Sequence, residues 1–130
     1  MDAGWNARYE LMREAAREAG DLALGYFDTG IEVETKDDLS PVTRADRDAE
    51  KRLRETISKY FPQDGFLGEE YGEQPGTSGF RWIIDPIDGT RSFVRNIPIW
   101  GTLVGLEFEG QQIGGVAYVP CWKQMYHAMK

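Results

Sequence analysis

Between Trp82 and Thr90 the chain runs from apolar residues into a cluster that can do chemistry: Asp85, Asp88, Gly89 and Thr90, with Pro86 and Ile87 between the acids. The two aspartates lie close enough across a proline turn for both carboxylates and the Ile87 carbonyl to meet one cation. Hard oxygen donors of this kind suit Mg2+, Mn2+ or Ca2+; zinc would call for cysteine and histidine ligands, which are missing. Gly89 and Thr90 can open a helix whose first backbone N–H groups aim at an anion. Carboxylates beside such a helix start repel the same anion unless a cation sits between them, so the stretch calls for a divalent metal. Further acids stand upstream: Glu69 and Glu70 after the strand-like Phe66-Leu67-Gly68, and Asp46 near a helix start. Each also has a plainer reading. Asp-Pro and Asp-Gly form acidic turns, a Glu-Glu pair is commonly a solvated edge, and Asp46 or Thr43 can simply serve a helix terminus.

The elements that must position these residues follow from hydrophobic spacing. Trp82 to Ile84 reads as a strand covered on both faces, and Pro86, with no N–H for a ladder, is expected to end it. Trp5, Tyr9, Met12, Ala16, Ala19, Ala23, Tyr26 and Phe27 recur at helical intervals, with Gly30 as the stop. Ile31, Val33 and Thr35 alternate with charged residues as in a half-exposed strand, and Lys36 to Pro41 reads as a polar loop. Thr43 is expected to cap a second helix, with Leu53, Ile57 and Tyr60 on its apolar face and the charges from Arg47 to Arg54 in solvent. Pro62 ends that helix. Tyr71 to Gly79 reads as a surface loop and Trp100 to Phe108 as a strand. Glu109-Gly110-Gln111 reads as a hairpin turn, Ile113 to Val119 as its return strand, and Gln124 to Met129 as a further strand. Cys121 is expected as an apolar filler, His127 as an ordinary strand residue, and Trp100 as core or pocket wall. Two helices followed by a largely hairpin-connected sheet give an α+β layered domain.

At 130 residues, with 41% hydrophobic and 12% aromatic content, the chain is one domain with a real core. A formal net charge of −7 argues against a broad nucleic-acid-binding face. The single cysteine excludes an internal disulfide and agrees with a reducing compartment. No apolar run approaches the roughly 20 residues of a membrane span, and the acidic start is unlike a signal peptide. The expectation is a cytoplasmic protein that engages neither membrane nor nucleic acid.

Gly68-Glu69-Glu70 followed by Trp82-Ile83-Ile84-Asp85-Pro86-Ile87-Asp88-Gly89-Thr90 resembles the inositol monophosphatase family of metal-dependent sugar and polyol phosphatases. Pro41-Val42-Thr43-Arg44-Ala45-Asp46 is similar to that family's upstream Asp motif, at the expected distance. Arg91-Ser92-Phe93 and Trp100-Gly101-Thr102-Leu103 resemble the histidinol-phosphatase branch, which belongs to histidine biosynthesis, more than the inositol branch. The resemblance implies an inositol-monophosphatase-like fold with N-terminal helices packed on a largely antiparallel sheet. It implies that Glu69, Asp85 and the Ile87 carbonyl hold one Mg2+, and that Asp85 with Asp88 bridges to a second. Backbone N–H groups of Gly89 and Thr90 would bind phosphate, while Thr90, hydrogen-bonded to Asp46, and Glu69 would orient and deprotonate a metal-activated water. Lys36 falls where the family has a mobile loop near its site. The implied activity is Mg2+-dependent hydrolysis of a small phosphomonoester, histidinol phosphate first and inositol 1-phosphate as the alternative, by a homodimer when full length.

One departure accompanies the match. The family pattern continues with a downstream Trp-Asp motif that completes the second metal site, in a chain about twice as long, and residues 1–130 stop before it. The chain is therefore expected to be the N-terminal half of such a phosphatase, truncated, with little or no activity alone. A different reading makes it only a cation-binding or interaction module.

Overall fold

The computed structural model describes residues 3–27 and 41–130, and for residues 3 and 41–43 the backbone alone. Gly30, the strand expected from Ile31 and the loop carrying Lys36 lie outside the described residues. Helix α1 spans Ala3–Leu24 and α2 spans Pro41–Tyr60. Strands β1 (Gly65–Gly68), β2 (Gly72–Gln74) and β3 (Phe80–Asp88) follow, then the short α3 (Thr90–Val94). The chain closes with β4 (Gly101–Phe108), β5 (Gln111–Val119), a 3-10 turn over Pro120–Trp122 and β6 (Gln124–Met129). These strands form one sheet in the order β2-β1-β3-β4-β5-β6. Every neighbouring pair is antiparallel except β1 with β3, which run parallel.

Both helices lie on one face of the sheet. Helix α1 turns Leu11, Met12, Ala15, Ala16, Ala19 and Ala23 inward, and α2 turns Ala45, Ala49, Leu53 and Ile57. Against them the sheet presents Phe66, Trp82, Ile84, Val104, Leu106, Val116 and Tyr118. The small residues of α1 let the helix axis come close to the strands, so large sheet side chains fill the gap. Phe93 and Trp100 stack edge to face at 4.9 Å and fasten α3 to the core, with Phe27 against both rings. Trp100 is thus a core residue.

The opposite face of the sheet carries the alternate residues Ile83, Asp85, Leu103, Gly105, Ala117 and Tyr126 around an open hollow. The expectation that Trp82 to Ile84 would be covered on both faces is corrected: Trp82 and Ile84 are buried, whereas Ile83 is only half-buried because no described element lies over it. Three further expectations are revised. Helix α2 begins at Pro41, two residues before Thr43, because proline's fixed φ and missing N–H suit a first helical position; Thr43 is inside the helix and does not cap it. Tyr60 is 60% exposed at the helix end and does not join the apolar face. Within the loop expected over Tyr71 to Gly79, Gly72–Gln74 pairs with β1 as a short exposed edge strand.

Between β4 and β5 the two-residue turn Glu109-Gly110 has both φ values positive, 51° and 82°, the conformation that matches the natural twist of a hairpin. A buried polar knot ties α1 to the sheet. Asp64, 2% exposed, accepts two hydrogen bonds from the Arg8 guanidinium at 2.7 and 2.8 Å, one from Ser78 Oγ at 2.7 Å and one from Trp82 Nε1 at 2.9 Å.

Candidate functional site

The parallel pair of strands brings the acidic segments together. Gly68 pairs with Ile84, so the next residues, Glu69 just past the end of β1 and Asp85 within β3, come side by side. Adjacent strands lie about 4.8 Å apart, which sets the scale of that approach. In sheets with parallel strands, the carboxyl ends are where ligands are commonly received.

Pro86 does not end β3. The strand pairs with β4 as far as Asp88, through a bulge: Asp85 lies opposite Leu103 and Asp88 opposite Gly101, so Pro86 and Ile87 together face the single residue Thr102. The ladder is already interrupted there, which is why a residue without an N–H is tolerated. Thr102, fully buried, donates its hydroxyl hydrogen bond to the Pro86 carbonyl at 2.8 Å and fixes the irregularity. The bulge also has a chemical effect. In a regular strand, residues three apart point to opposite faces. Leu103 and Gly101 are two apart, so their partners Asp85 and Asp88 share one face. The inserted residue aims both carboxylates the same way.

Asp46 reaches this rim from α2 and is 8% exposed. Burial pushes its carboxyl up to about 7, reinforced by Glu70, Asp85, Glu69 and Glu50 in that order. Burial likewise raises the Asp85 carboxyl, followed by the fields of Asp88, Glu69 and Glu50. Asp46 therefore lies in the field of Asp85 and Glu69, and Asp85 in that of Asp88 and Glu69. Among the described residues, no group of three or more acidic, histidine or cysteine side chains is gathered into an arrangement that could hold a metal ion. The donor set fits a hard divalent cation in kind: the donors are carboxylate oxygens whose mutual repulsion such a charge would relieve.

Gly89 adopts the left-handed conformation, φ 92°, before α3, and a Cβ there would stand 3.2 Å from the Ile99 carbonyl oxygen. Glycine meets both demands, positive φ and close backbone approach. Thr90 is the first residue of α3, exposed, as are Asp88 and Gly89. Helices α2 and α3 pack together, yet no hydrogen bond joins Thr90 to Asp46 among the described residues. Ile87 buries its side chain in the core at the bulge. Of the expected site residues, Asp46, Glu69, Asp85, Ile87, Asp88, Gly89 and Thr90 lie among the described residues, whereas Lys36 does not.

One set of charges was placed wrongly by spacing. Glu50 and Arg54 do not belong to the solvated face of α2: Glu50 is fully buried and pairs with Arg54, itself largely covered, at 3.2 Å. The signal was present. Asp46, Glu50 and Arg54 succeed one another at i, i+4, which stacks them on one side of the helix.

A single mixed sheet, covered on one side by two helices and gathering acids beyond its parallel strands, defines a class of α+β domain with an acidic rim. The chain belongs to the inositol monophosphatase family, whose sequence pattern matches residues 6–130. It is 48% identical over 120 residues to a histidinol-phosphatase of Chlorobaculum parvum, covering 92% of this chain and 46% of that protein. An inositol-1-monophosphatase of Rhizobium meliloti is 39% identical over 126 residues, covering 95% of this chain and 47% of that one. Among solved structures, an inositol monophosphatase from Zymomonas mobilis superposes with a TM-score of 0.84 at 30% identity, over 99% of this chain and 49% of its own. The fold is therefore the inositol-monophosphatase fold. The chain spans about half the length of the curated relatives it matches.

Proposed function

We propose that this chain supplies the metal- and phosphate-binding half of a Mg2+-dependent phosphomonoester hydrolase, with histidinol phosphate as substrate. The observation that carries the reading is the strand register, which sets Glu69 next to Asp85 and puts Asp88 on the same face as Asp85, with Asp46 in the field of Asp85 and Glu69. Glu69, Asp85, Asp88 and the Ile87 carbonyl are the groups that would hold the cation. Mg2+ in such a place neutralises phosphoryl charge and lowers the pKa of water. The chain's own groups then have separate tasks. Backbone N–H groups at Gly89 and Thr90 receive the phosphoryl oxygens. Asp46, buried on α2 behind the rim, would act with Thr90 and Glu69 in taking the proton from the attacking water. Glu69 and the Thr90 hydroxyl orient the attacking water. No side-chain nucleophile is needed, since positioning and charge supply the rate.

Histidinol phosphate is favoured over inositol 1-phosphate because the histidinol-phosphatase of Chlorobaculum parvum shares more identity with this chain than the inositol-1-monophosphatase of Rhizobium meliloti. We place the full-length protein in the cytoplasm, in histidine biosynthesis, as a homodimer; no helix among the described residues is long and apolar enough to cross a membrane. A second reading is favoured by the sheet face that no described element covers: the 130 residues alone form a cation-binding or interaction module without turnover. Phosphate release from both substrates with Mg2+, measured on this chain and on the full-length reading frame, tests the proposal. Faster release from histidinol phosphate by the longer protein, abolished in Asp88→Asn, is the expected result. Unchanged turnover in Asp88→Asn refutes the metal roles, and faster release from inositol 1-phosphate refutes the substrate.

A further inference from the structure

Glu69 sits on a turn whose backbone is tied down from an unexpected direction. Glu50, fully buried on α2 one helical turn after Asp46, sends its carboxylate across to that turn. Its Oε1 accepts the N–H of Glu70 at 3.1 Å and its Oε2 the N–H of Tyr71 at 2.9 Å. Arg54 donates to the same Oε2 through Nε at 3.3 Å and, through Nη2, to the Gly72 carbonyl at 2.6 Å. Three consecutive residues, Glu70, Tyr71 and Gly72, are thus held by two side chains of one helix. Gly68, on the other side of Glu69, belongs to the same arrangement: a Cβ there would stand 2.6 Å from the Glu50 carboxylate. The strand can end beside Glu50 only because that residue has no side chain.

A buried carboxylate is costly to desolvate, and an apolar residue would fill the same space more cheaply. What an apolar residue could not do is accept two amide hydrogens while anchoring an arginine. Glutamine is also insufficient. It offers one oxygen, and its NH2 group would meet either an amide N–H or the guanidinium, donor against donor. The clamp therefore demands a carboxylate, and the residue it brackets is the exposed Glu69.

We infer that Glu50, with Arg54, is a positioning residue that fixes the Glu69–Gly72 turn so that the Glu69 carboxylate is presented to the cation at the rim. This rests on the metal-site reading above. Glu50 itself does not touch substrate or metal; it acts through the backbone on either side of its target. Outer partners of a metal ligand set its affinity, commonly by 10- to 100-fold.

Mn2+ binding to the 130-residue chain, followed by titration calorimetry, and amide hydrogen exchange at Glu70 and Tyr71 test the inference together. Glu50→Gln is expected to weaken Mn2+ binding by about 10- to 100-fold and to speed exchange at those two amides, while the β4 and β5 amides keep their protection. Arg54→Lys keeps a positive charge but lacks the fork that spans Glu50 and Gly72. It is expected to weaken binding several-fold with only a small fall in the unfolding midpoint, and it decides the matter if Glu50→Gln does not fold. Glu73→Gln, on the exposed β2, serves as the control with unchanged affinity. A merely structural Glu50 would lower the unfolding midpoint and leave the Mn2+ affinity of the folded chain intact. Unchanged affinity in both clamp variants, with wild type binding normally, overturns the inference and leaves the metal site standing. Failure of the wild type to bind Mn2+ overturns the metal site and the inference with it.

Discussion

Replacing Asp64 with alanine strands the Arg8 guanidinium where it cannot escape. Arg8 is 8% exposed and lies between the rings of Phe61 and Phe80, 4.1 and 3.6 Å from their centroids. Its other hydrogen bond, to the Gly4 carbonyl at 3.1 Å, does not supply a negative charge. The substitution removes both charge-assisted bonds to Arg8 and also the acceptor for Ser78 and Trp82. Breaking a buried pair by deleting one partner costs about 3–5 kcal/mol, mostly the uncompensated charge left behind. For a domain whose total stability falls in the usual range of about 5–15 kcal/mol, that is a large share. With a urea m-value of ~2 kcal/mol/M, the midpoint should fall by roughly 2 M at constant m. The double variant Arg8→Met/Asp64→Leu removes both charges together and should recover the share due to the stranded charge, though not the acceptor lost to Ser78 and Trp82. Urea unfolding followed by tryptophan fluorescence measures all three chains. A cost below about 1 kcal/mol for Asp64→Ala, or a double variant no more stable than the single, would refute the claim that Arg8 is trapped.

Other consequences are as direct. Thr102→Val takes the hydroxyl from the buried Pro86 carbonyl and should cost about 1–3 kcal/mol in urea unfolding; a neutral result would mean that the bulge holds without it. Gly20→Ala places a Cβ 2.6 Å from the Tyr118 ring, and overpacking of about 1–3 kcal/mol should outweigh the roughly 1 kcal/mol gained in helix propensity, so thermal unfolding should occur earlier. Burial, then the hydrogen bond to Asp21, raises the Tyr118 phenol above its ordinary value of 10.0. Because the folded-state value is the higher one, this contribution to stability is fully present below pH 10 and is lost as pH rises through the folded-state value. Alkaline unfolding curves of wild type and Tyr118→Phe should differ in that window, and identical curves would remove Tyr118 as a cause.

Much of the fold was legible because hydrophobic spacing and turn chemistry are local. The α1 stripe, the Glu109-Gly110 turn and the strands around it needed no knowledge of the rest of the molecule. What spacing missed was decided by partners distant in sequence. Pro86 read as a strand end because a proline cannot complete a ladder, and Thr102, sixteen residues away, supplies the bulge that makes this harmless. Glu50 and Arg54 read as solvated because charged residues usually are; their burial depends on the turn beyond Gly68. Asp64 gave no warning at all, since its partners come from α1, β3 and the loop before β3. The candidate acids were visible by type. That Asp85 and Asp88 share a face depended on a bulge, which residue types alone do not announce.

The pairing pattern also separates what each acid depends on. Strands β3, β4 and β5 each pair with their successor in the chain, whereas the pairing of β1 with β3 passes over β2. Asp85 and Asp88 are set against each other by β3 and β4 alone. Glu69 comes beside them only through the pairing of β1 with β3. The acidic rim is in this sense a seam: local opening of the β2-β1 edge would part Glu69 from the two aspartates and leave their own alignment untouched.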